Sequence, residues 1–422
     1  MIDPFDIKRD TKRVLMFAPA FAPFSFSESI TNSKLALAFQ AHGWDVNIIS
    51  KTEVWTHYHT GWHQFWQPLK NAISIIDYPL GNRSERLLDF IRQTIRMNYP
   101  IDGVRWAGRA FDRAMKLHKE NPYQLVLSRS PSDIGHVPAL AFSGQTNVPW
   151  IANWNDPPAH LWPEPYKSEV NLFRKLIFKH LMTNVFEEAF AVTFPSERLC
   201  KHITRANDKV GNRKVKVIPH IGLPGYLPAK RNADGCFRIC HAGNLSRERD
   251  PRTFFEGMAQ FIKSTSMPHS FEIRIIGTSS HELSILSKQY NIEKYIKFSG
   301  ELKYPDVLAV LEQSDVLAVV EAPCKEGIFL PSKITDYAQV GRPILAVSPL
   351  EGTMADLLSE TRAGELGVCN QPESVAMAIS VLYKAWLNKN IEQDYPTTIL
   401  WERFRPENIM RQYEEIYSVS GL

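Results

Sequence analysis

Several features that define other protein classes are scarce in this 422-residue sequence. It has five cysteines, an odd number with no C-x-x-C pair, which argues against a disulfide framework or a zinc site. No run approaches the roughly 20 apolar residues of a membrane-spanning helix, and charges interrupt the N-terminus where an export signal needs an apolar core. The net charge of +4 is small for the length, which argues against nucleic-acid binding. These absences predict a reduced, cytoplasmic globular protein.

What the sequence does contain is a regular alternation of short apolar runs and longer segments with helical periodicity. The runs lie at residues 13–19, 44–50, 123–129, 149–154, 190–196 and 215–220, and then at 237–243, 271–277, 295–300, 315–320, 343–347 and 364–370. Nearly continuous apolar runs are typical of parallel strands that helices cover on both faces. Two such series predict an α/β protein with two Rossmann-like, doubly wound parallel-sheet domains facing across a cleft.

Composition indicates where the domains end. Residues 221–236 are rich in proline and glycine and predict a linker between an N-terminal domain at 1–220 and a C-terminal domain at 237–395. A helical tail at 396–422 closes the chain. Because ligands of open parallel sheets bind beyond the carboxyl ends of the strands, the loops after the predicted strands are the candidate sites.

The clearest of these loops is GIFLPSKITDYAQVGRPILAV at residues 327–347. Ser332 is predicted to cap a helix, which places Lys333, Asp336 and Tyr337 on one face of its first turns. Asp336 would accept hydrogen bonds from the hydroxyls of a ribose, and Lys333 would offer a positive charge to a phosphate. A capped surface helix with a solvated ion pair is the competing interpretation.

A second candidate loop, at residues 241–258, is rich in arginine. The strand ends at Gly243, and Arg247, Arg249 and Arg252 precede or begin a helix whose backbone N–H groups favour anions. Arginine binds a diphosphate bidentately, although neighbouring acids would also balance solvated arginines here. The loop has no P-loop or G-x-G-x-x-G pattern.

In the first half, the candidate residues follow strand ends at 129 and 154. Asn155 and Asp156 lie directly beyond a strand, where Asp156 would contact a reacting sugar or simply cap a turn. His136 follows another strand and is either a cleft residue or a structural histidine. The hydroxyls of Ser25, Ser27 and Ser29 are predicted to cap the first helix, with contact between Glu28 and its neighbours and an acceptor hydroxyl as the alternative.

At these loops the sequence resembles the bacterial retaining glycosyltransferases of family 4, which have the GT-B fold. PSKITDYAQVGRPIL at 331–345 is similar to the family's C-terminal signature, with Asp336 where a glutamate is usual. AGNLSRERDP at 242–251 and VPWIANWNDPP at 148–158 are similar to two further motifs, in the same order. The resemblance implies donor binding mainly in the second domain, acceptor binding mainly in the first, no essential metal and no cofactor beyond the sugar donor. It also implies that the C-terminal helix packs back on the first domain.

The resemblance also assigns residues to roles. The implied donor-binding residues are Gly243, Asn244, Arg249, Glu326, Ser332, Lys333, Asp336 and Tyr337, and the implied catalytic residues are His136, Asn155, Asp156, Arg249 and Lys333. The E-x7-E pattern common in the family is not intact: the residue eight positions before Asp336 is Ile328, and Glu326 lies two residues earlier. The role of the first carboxylate therefore stays open.

The sequence predicts a hexosyltransferase that uses an NDP-sugar and a glycan or lipid-linked acceptor. Two alternatives stay open: an NDP-sugar epimerase or hydrolase of GT-B architecture, and a non-catalytic nucleotide-sugar-binding protein. A basic, apolar segment at 83–116 and an aromatic loop at 52–68 suit peripheral docking at the inner face of the cell membrane. Plain packing or a bulky soluble acceptor explains both segments equally well.

Overall fold

The computed structural model describes residues 11–52, 61–77, 81–130, 133–206, 214–231, 234–245, 248–265, 270–277 and 280–420. The chain forms two compact units. The first contains the residues up to Trp162, Lys167–Pro224 and the chain from Pro406 onward, and the second contains Pro163–Tyr166 and Gly225–Arg405. The change of unit near 224 lies at the predicted linker, whereas the return to the first unit comes at Pro406 rather than at 396.

The first unit is built on a parallel sheet of seven strands in the order β3-β2-β1-β4-β5-β6-β7. Its strands are β1 (Arg13–Phe17), β2 (Asp45–Ser50), β3 (Ile73–Ile75), β4 (Leu125–Arg129), β5 (Trp150–Asn153), β6 (Ala191–Phe194) and β7 (Val215–Val217). Its helices are α1 (Ser27–Ala41), α2 (Arg83–Met97), α3 (Val104–Glu120), α4 (His136–Thr146), α5 (Leu172–Glu188) and α6 (Glu197–Thr204), joined by the C-terminal α15 (Pro406–Val419). Strand order reverses between β1 and β4, which is where a doubly wound sheet opens a crevice.

The second unit has a parallel sheet of six strands in the order β10-β9-β8-β11-β12-β13. Its strands are β8 (Cys236–Ala242), β9 (Ser270–Ile276), β10 (Ile296–Gly300), β11 (Val316–Val320), β12 (Ile344–Ser348) and β13 (Gly364–Val368). Its helices are α7 (Arg252–Ser264), α8 (Ser280–Gln289), α9 (Tyr304–Glu312), α10 (Ile334–Val340), α11 (Thr353–Thr361), α12 (Pro372–Leu387), α13 (Ile391–Asp394) and α14 (Thr398–Phe404). Here strand order reverses between β8 and β11.

The strand pattern of the sequence is confirmed: every predicted run contains a strand. The short edge strand β3 was not predicted. The basic segment at 83–116 forms two helices, α2 and α3, because Gly103 adopts a left-handed φ of 87° between them. Of the aromatic loop, residues 53–60 lie outside the described residues, and Trp66 is buried in the core of its unit.

Two predicted helix caps are wrong. The helix after Ser332 begins only at Ile334, with Lys333 at the N-cap position and no side-chain cap. Helix α1 begins after Phe26, again without a side-chain cap, so the predicted capping by a serine hydroxyl is wrong. The predicted end of α10 is confirmed, because Gly341 is the C-cap with a left-handed φ of 76°. No helix in the described part of the chain combines the length and apolarity needed to cross a bilayer.

Candidate functional site

The crevice of the second unit opens where β8 and β11 separate. The two strands stay paired only as far as Leu317 and Cys240. Beyond that point the buried Tyr337 replaces the backbone ladder, since its hydroxyl accepts a hydrogen bond from the Ala242 N–H (2.9 Å) and donates one to the Ala318 carbonyl (3.3 Å). Tyr337, which the resemblance assigned to donor binding, is fully buried and holds the two strand ends together.

Gly243 brings the Lys333 ammonium group into this crevice. Its φ of 130° is a conformation that side chains rarely adopt, and a Cβ atom at this position would collide with Lys333 Nζ. Burial, with help from the charge of Arg249, lowers the pKa of Lys333 to about 7, against the opposing effect of Glu321. The crevice therefore holds a desolvated amine whose charge changes near neutral pH.

A buried carboxyl group, Glu321, accompanies this amine at the end of β11. It accepts a hydrogen bond of 2.5 Å from Ser348 Oγ. Burial raises the pKa of Glu321 to about 7, while the Ser348 hydrogen bond and the charges of Arg249 and Lys333 oppose that rise. An acid and an amine with similar pKa values thus lie close enough for each to influence the charge of the other.

The third charged group of the crevice is Arg249, which precedes α7 and is exposed. Its Nε donates a hydrogen bond to the Tyr166 hydroxyl (3.3 Å), and its guanidinium carbon lies 6.0 Å from the centre of the Tyr166 ring. That ring packs edge-on against Phe329, with centroids 5.5 Å apart. An aromatic wall therefore orients the guanidinium, which influences the pKa of both Lys333 and Glu321.

His241 completes the base of the crevice. Its Nδ1 lies 3.0 Å from the Ala318 carbonyl, so it carries the proton of the neutral ring. Burial and the charge of Lys333 hold the pKa of His241 well below its usual value. Its Nε2 is buried and has no hydrogen-bond partner in the described part of the chain.

The remaining predicted donor residues lie around this group in different ways. Asp336 is nearly buried, and its Oδ1 accepts a hydrogen bond of 2.7 Å from the Tyr304 hydroxyl at the start of α9. Asn244 is exposed, and Ser332 and Glu326 are partly exposed. Arg247 lies outside the described residues.

The first unit presents a second polar cluster where β1, β4 and β5 end. Asn155 Nδ2 donates a hydrogen bond of 2.6 Å to Glu28 Oε2, near the start of α1. Burial and the neighbouring charge of Asp156 raise the pKa of Glu28 to about 8, against the effects of Asn155 and Arg129. The predicted pair Asn155 and Asp156 therefore lies together with Glu28, which the sequence offered only as an alternative contact.

Asp133 holds the loop that carries this pair. Its Oδ1 accepts a hydrogen bond from Trp154 Nε1 (3.0 Å), and its Oδ2 accepts one from the Ala159 N–H (3.4 Å). His136, by contrast, is fully buried beside Trp154 and hydrogen-bonds Ser128 Oγ through Nδ1 (2.7 Å). Burial lowers the pKa of His136 to about 3. The structure thus places the predicted pocket histidine in the core, which favours its structural alternative.

Four site residues were not singled out from the sequence: Arg129, Tyr166, Glu321 and His241. Arg129, Glu321 and His241 each lie at or just beyond the end of a strand beside a sheet reversal. A polar residue at the end of such an apolar run could therefore have been predicted as a site residue from the sequence. Tyr166 has no such signal, because it reaches Arg249 from 83 positions away in the sequence. No group of His, Cys, Asp or Glu side chains in the described ranges is arranged to hold a metal ion.

No protein-family model and no curated protein matches the sequence. Solved structures do match the fold along nearly the whole chain. Sucrose-phosphate synthase from Thermosynechococcus elongatus matches with a TM-score of 0.65 at 17% identity, covering 96% of this chain and 98% of that one. A glycosyltransferase from Rickettsia africae matches with a TM-score of 0.63 at 14% identity, covering 98% and 99%. Anabaena HepE in complex with UDP-glucose matches with a TM-score of 0.64 at 15% identity, covering 97% and 100%.

At these identities the likeness concerns the fold. Both parallel sheets, with their reversals beside β1 and β8, match the two-unit architecture that the sequence predicted. The chain is therefore a protein of the GT-B fold, with two Rossmann-like units.

Proposed function

We propose that this protein is a glycosyltransferase, similar to those of family 4, that transfers a hexosyl residue from an NDP-sugar with retention and without a metal ion. The observation that carries the proposal is the convergence of Arg249 and Lys333 on the crevice beyond Gly243 in the second unit. Two cations suit the negative charge of a diphosphate, and a glycine beside them has no side chain to keep the ligand away from the backbone. The structural likeness to HepE, which was solved with UDP-glucose, supports this choice of ligand.

In this proposal the cations stabilise the leaving group. As the bond between the sugar and the diphosphate breaks, negative charge grows on the phosphate oxygens. Lys333 neutralises that charge from a poorly solvated position, where electrostatic stabilisation is strongest, and the exposed Arg249 adds a second positive charge. Asp336, oriented by Tyr304, would accept hydrogen bonds from the ribose hydroxyls. For retention, the incoming hydroxyl would approach from the same face of the sugar as the departing phosphate.

We assign acceptor binding to the polar cluster of the first unit. Glu28 and Asp156 are neighbouring carboxyl groups, and the raised pKa of Glu28 lets one of them keep a proton at neutral pH. The protonated group can donate a hydrogen bond and the ionised one can accept one. Such a pair recognises hydroxyl groups, as expected for a glycan or lipid-linked acceptor.

The surface of the first unit supports docking on an anionic membrane. Helix α2 exposes Leu88 (67%) and Ile95 (77%) together with Arg83, Arg86 and Arg92, and α5 exposes Phe173 (66%) beside Lys175. The two helices are joined by a hydrogen bond of 2.6 Å from Asn184 of α5 to the hydroxyl of Tyr99, just after α2. Apolar side chains interspersed with cations suit the interface of a bilayer that contains anionic lipids.

Vesicle co-sedimentation tests this docking surface. We expect the protein to bind vesicles with anionic lipids more strongly than zwitterionic ones, and Leu88→Ser with Ile95→Ser to lose most of that binding. Leu227→Ser, which changes an even more exposed leucine of the second unit, is the control and should bind normally. Binding that is indifferent to anionic lipid would contradict docking.

The transferase proposal is tested at Arg249. Arg249→Gln should reduce turnover of the NDP-sugar about 10²- to 10³-fold, the cost of losing one contact to the developing charge. Arg252→Gln is the matched control, because Arg252 is exposed and donates its hydrogen bond to the nearby Asp250 rather than to a crevice residue. NMR of donor and protein without acceptor completes the test. Isomerisation of the donor sugar there would indicate an epimerase, and equal turnover by both variants would remove the assignment of Arg249.

A further inference from the structure

The first unit contains a buried guanidinium group that the functions above do not use. Arg129 ends β4 at the sheet reversal and is only 4% exposed. Its Nε donates a hydrogen bond of 2.8 Å to Asn32 Oδ1, and one terminal nitrogen lies 3.5 Å from the Tyr413 hydroxyl. Among the described residues Arg129 forms no ion pair, and its other N–H groups have no hydrogen-bond acceptor.

This guanidinium lines a pocket that lies wholly within the first unit. The pocket is lined by Thr31 and Leu35 of α1, Arg129, Asn155, residues 218–221 after β7, and Ile409 and Tyr413 of α15. A charge buried without a counter-ion is costly, and such groups are normally paired or bound to a ligand. Glu28 lies close enough to Arg129 for their charges to interact, and the raised pKa of Glu28 leaves it largely uncharged at neutral pH.

We infer that the pocket at Arg129 is a binding subsite for an anionic group, a phosphate or a carboxylate, carried by the acceptor. Arginine presents several N–H donors in one plane and suits the oxygens of such a group. The assignment to an acceptor rests on the proposed function, whereas the anion site itself does not. A phosphate on a soluble sugar and a phosphate on a lipid share this chemistry.

Titration with inorganic phosphate at saturating UDP tests the site, because UDP then occupies the proposed donor crevice. Calorimetry should detect saturable phosphate binding that Arg129→Gln weakens about 10- to 100-fold, as expected for the loss of hydrogen bonds to a charged ligand. Arg205→Gln, an exposed arginine of the same unit, is the control and should bind phosphate normally.

A second variant keeps the subsite testable if Arg129→Gln fails to fold. Asn155→Asp keeps the shape of a pocket-lining side chain while adding a negative charge, so it should also weaken phosphate binding. Glucose 6-phosphate and dioctanoyl phosphatidic acid, titrated in parallel, distinguish a soluble from a lipid source by which of them displaces phosphate. Phosphate binding that is not saturable in the natural sequence, or is unchanged in both variants, would overturn the subsite.

The two proposals can fail separately. Arg249→Gln should lose UDP binding but keep phosphate binding at Arg129, whereas Arg129→Gln should do the reverse. Absence of UDP binding alone would remove the donor site and leave the anion subsite standing.

Discussion

At the scale of single residues, the ionisation of Glu28 in the proposed acceptor cluster makes the stability of the fold depend on pH. Burial and Asp156 raise the pKa of Glu28 from 4.5 to about 8, so ionising it costs the folded state. Its contribution to the free energy of unfolding is fully present below 4.5 and is lost as the pH rises toward 8. We therefore expect Glu28→Gln to melt at a higher temperature than the natural sequence above pH 8, with the difference vanishing below pH 4.5.

Melting curves across this pH range check the effect of Glu28. Glu197→Gln is the control, since Glu197 is also in the first turn of a helix in the first unit but is exposed. That variant should show no gain at high pH. A Glu28→Gln variant that loses stability as steeply with rising pH as the natural sequence would show that another group titrates.

Lys333 sets the pH dependence of the donor crevice. Its pKa is lowered from 10.5 to about 7, so the free protein loses this positive charge as the pH rises through neutrality. UDP affinity should therefore fall across that range, and Lys333→Met should make the fall smaller, leaving the part that ionisation of Glu321 causes. Glu321 raises the pKa of Lys333. Glu321→Gln should therefore move the fall to lower pH in calorimetric titrations, and a move to higher pH would contradict this coupling.

The same residues show where the sequence could predict the site. Arg249 and Lys333 stand in loops after predicted strands, and sheet topology alone brings those loops to one edge. Arg129 was missed because it ends an apolar run and looked like part of a strand, and Glu321 was missed although it directly follows one. Tyr166 was missed because a contact across 83 positions leaves no periodic signal. Local pattern located the loops, but the partners of each charge depend on tertiary packing.

At the scale of elements, the hydrophobic pattern of the sequence was enough to predict the central strands but not the edge strand β3. The fully buried strands β1, β4, β11 and β12 are mainly apolar, with polar residues only at their ends, as two-sided burial demands. Strand β3 pairs with one neighbour only, is partly exposed and spans three residues, so it leaves a weak signal. The predicted caps were wrong because α1 and α10 begin without a side-chain cap, although buried residues follow in the first turn of each helix.

Alanine substitutions at two glycines inside helices measure how closely those helices pack against their neighbours. Alanine normally stabilises a helix interior by about 1 kcal/mol relative to glycine. At Gly257 of α7, an added Cβ atom would lie 2.6 Å from Val375 Cβ and 2.8 Å from the Pro372 carbonyl of α12, whereas at Gly144 of α4 it would meet nothing within 4 Å. We expect Gly257→Ala to destabilise by about 1–3 kcal/mol through overpacking and Gly144→Ala to stabilise.

Urea unfolding of the two glycine variants measures this difference. The shared chemistry of the two changes makes Gly144→Ala the control for helix propensity. Stabilisation by both variants would mean that α7 and α12 can move apart at little cost.

At the scale of the whole molecule, the chain completes the first unit with its last helix. Tyr417 of α15 packs edge-on against Trp44 (centroids 5.0 Å apart), and Lys12 Nζ lies 5.1 Å from the Tyr417 ring.

Tyr417→Ala should therefore destabilise the first unit by about 3 kcal/mol. UDP affinity should stay unchanged, because every residue assigned to UDP belongs to the second unit. Val419→Ala, on the same helix but 78% exposed, should change unfolding by less than about 0.5 kcal/mol. Urea unfolding measures the stability of each variant, and UDP titration of the folded protein measures its affinity. If folded Tyr417→Ala binds UDP more weakly than the natural sequence, the donor site depends on the unit that α15 completes.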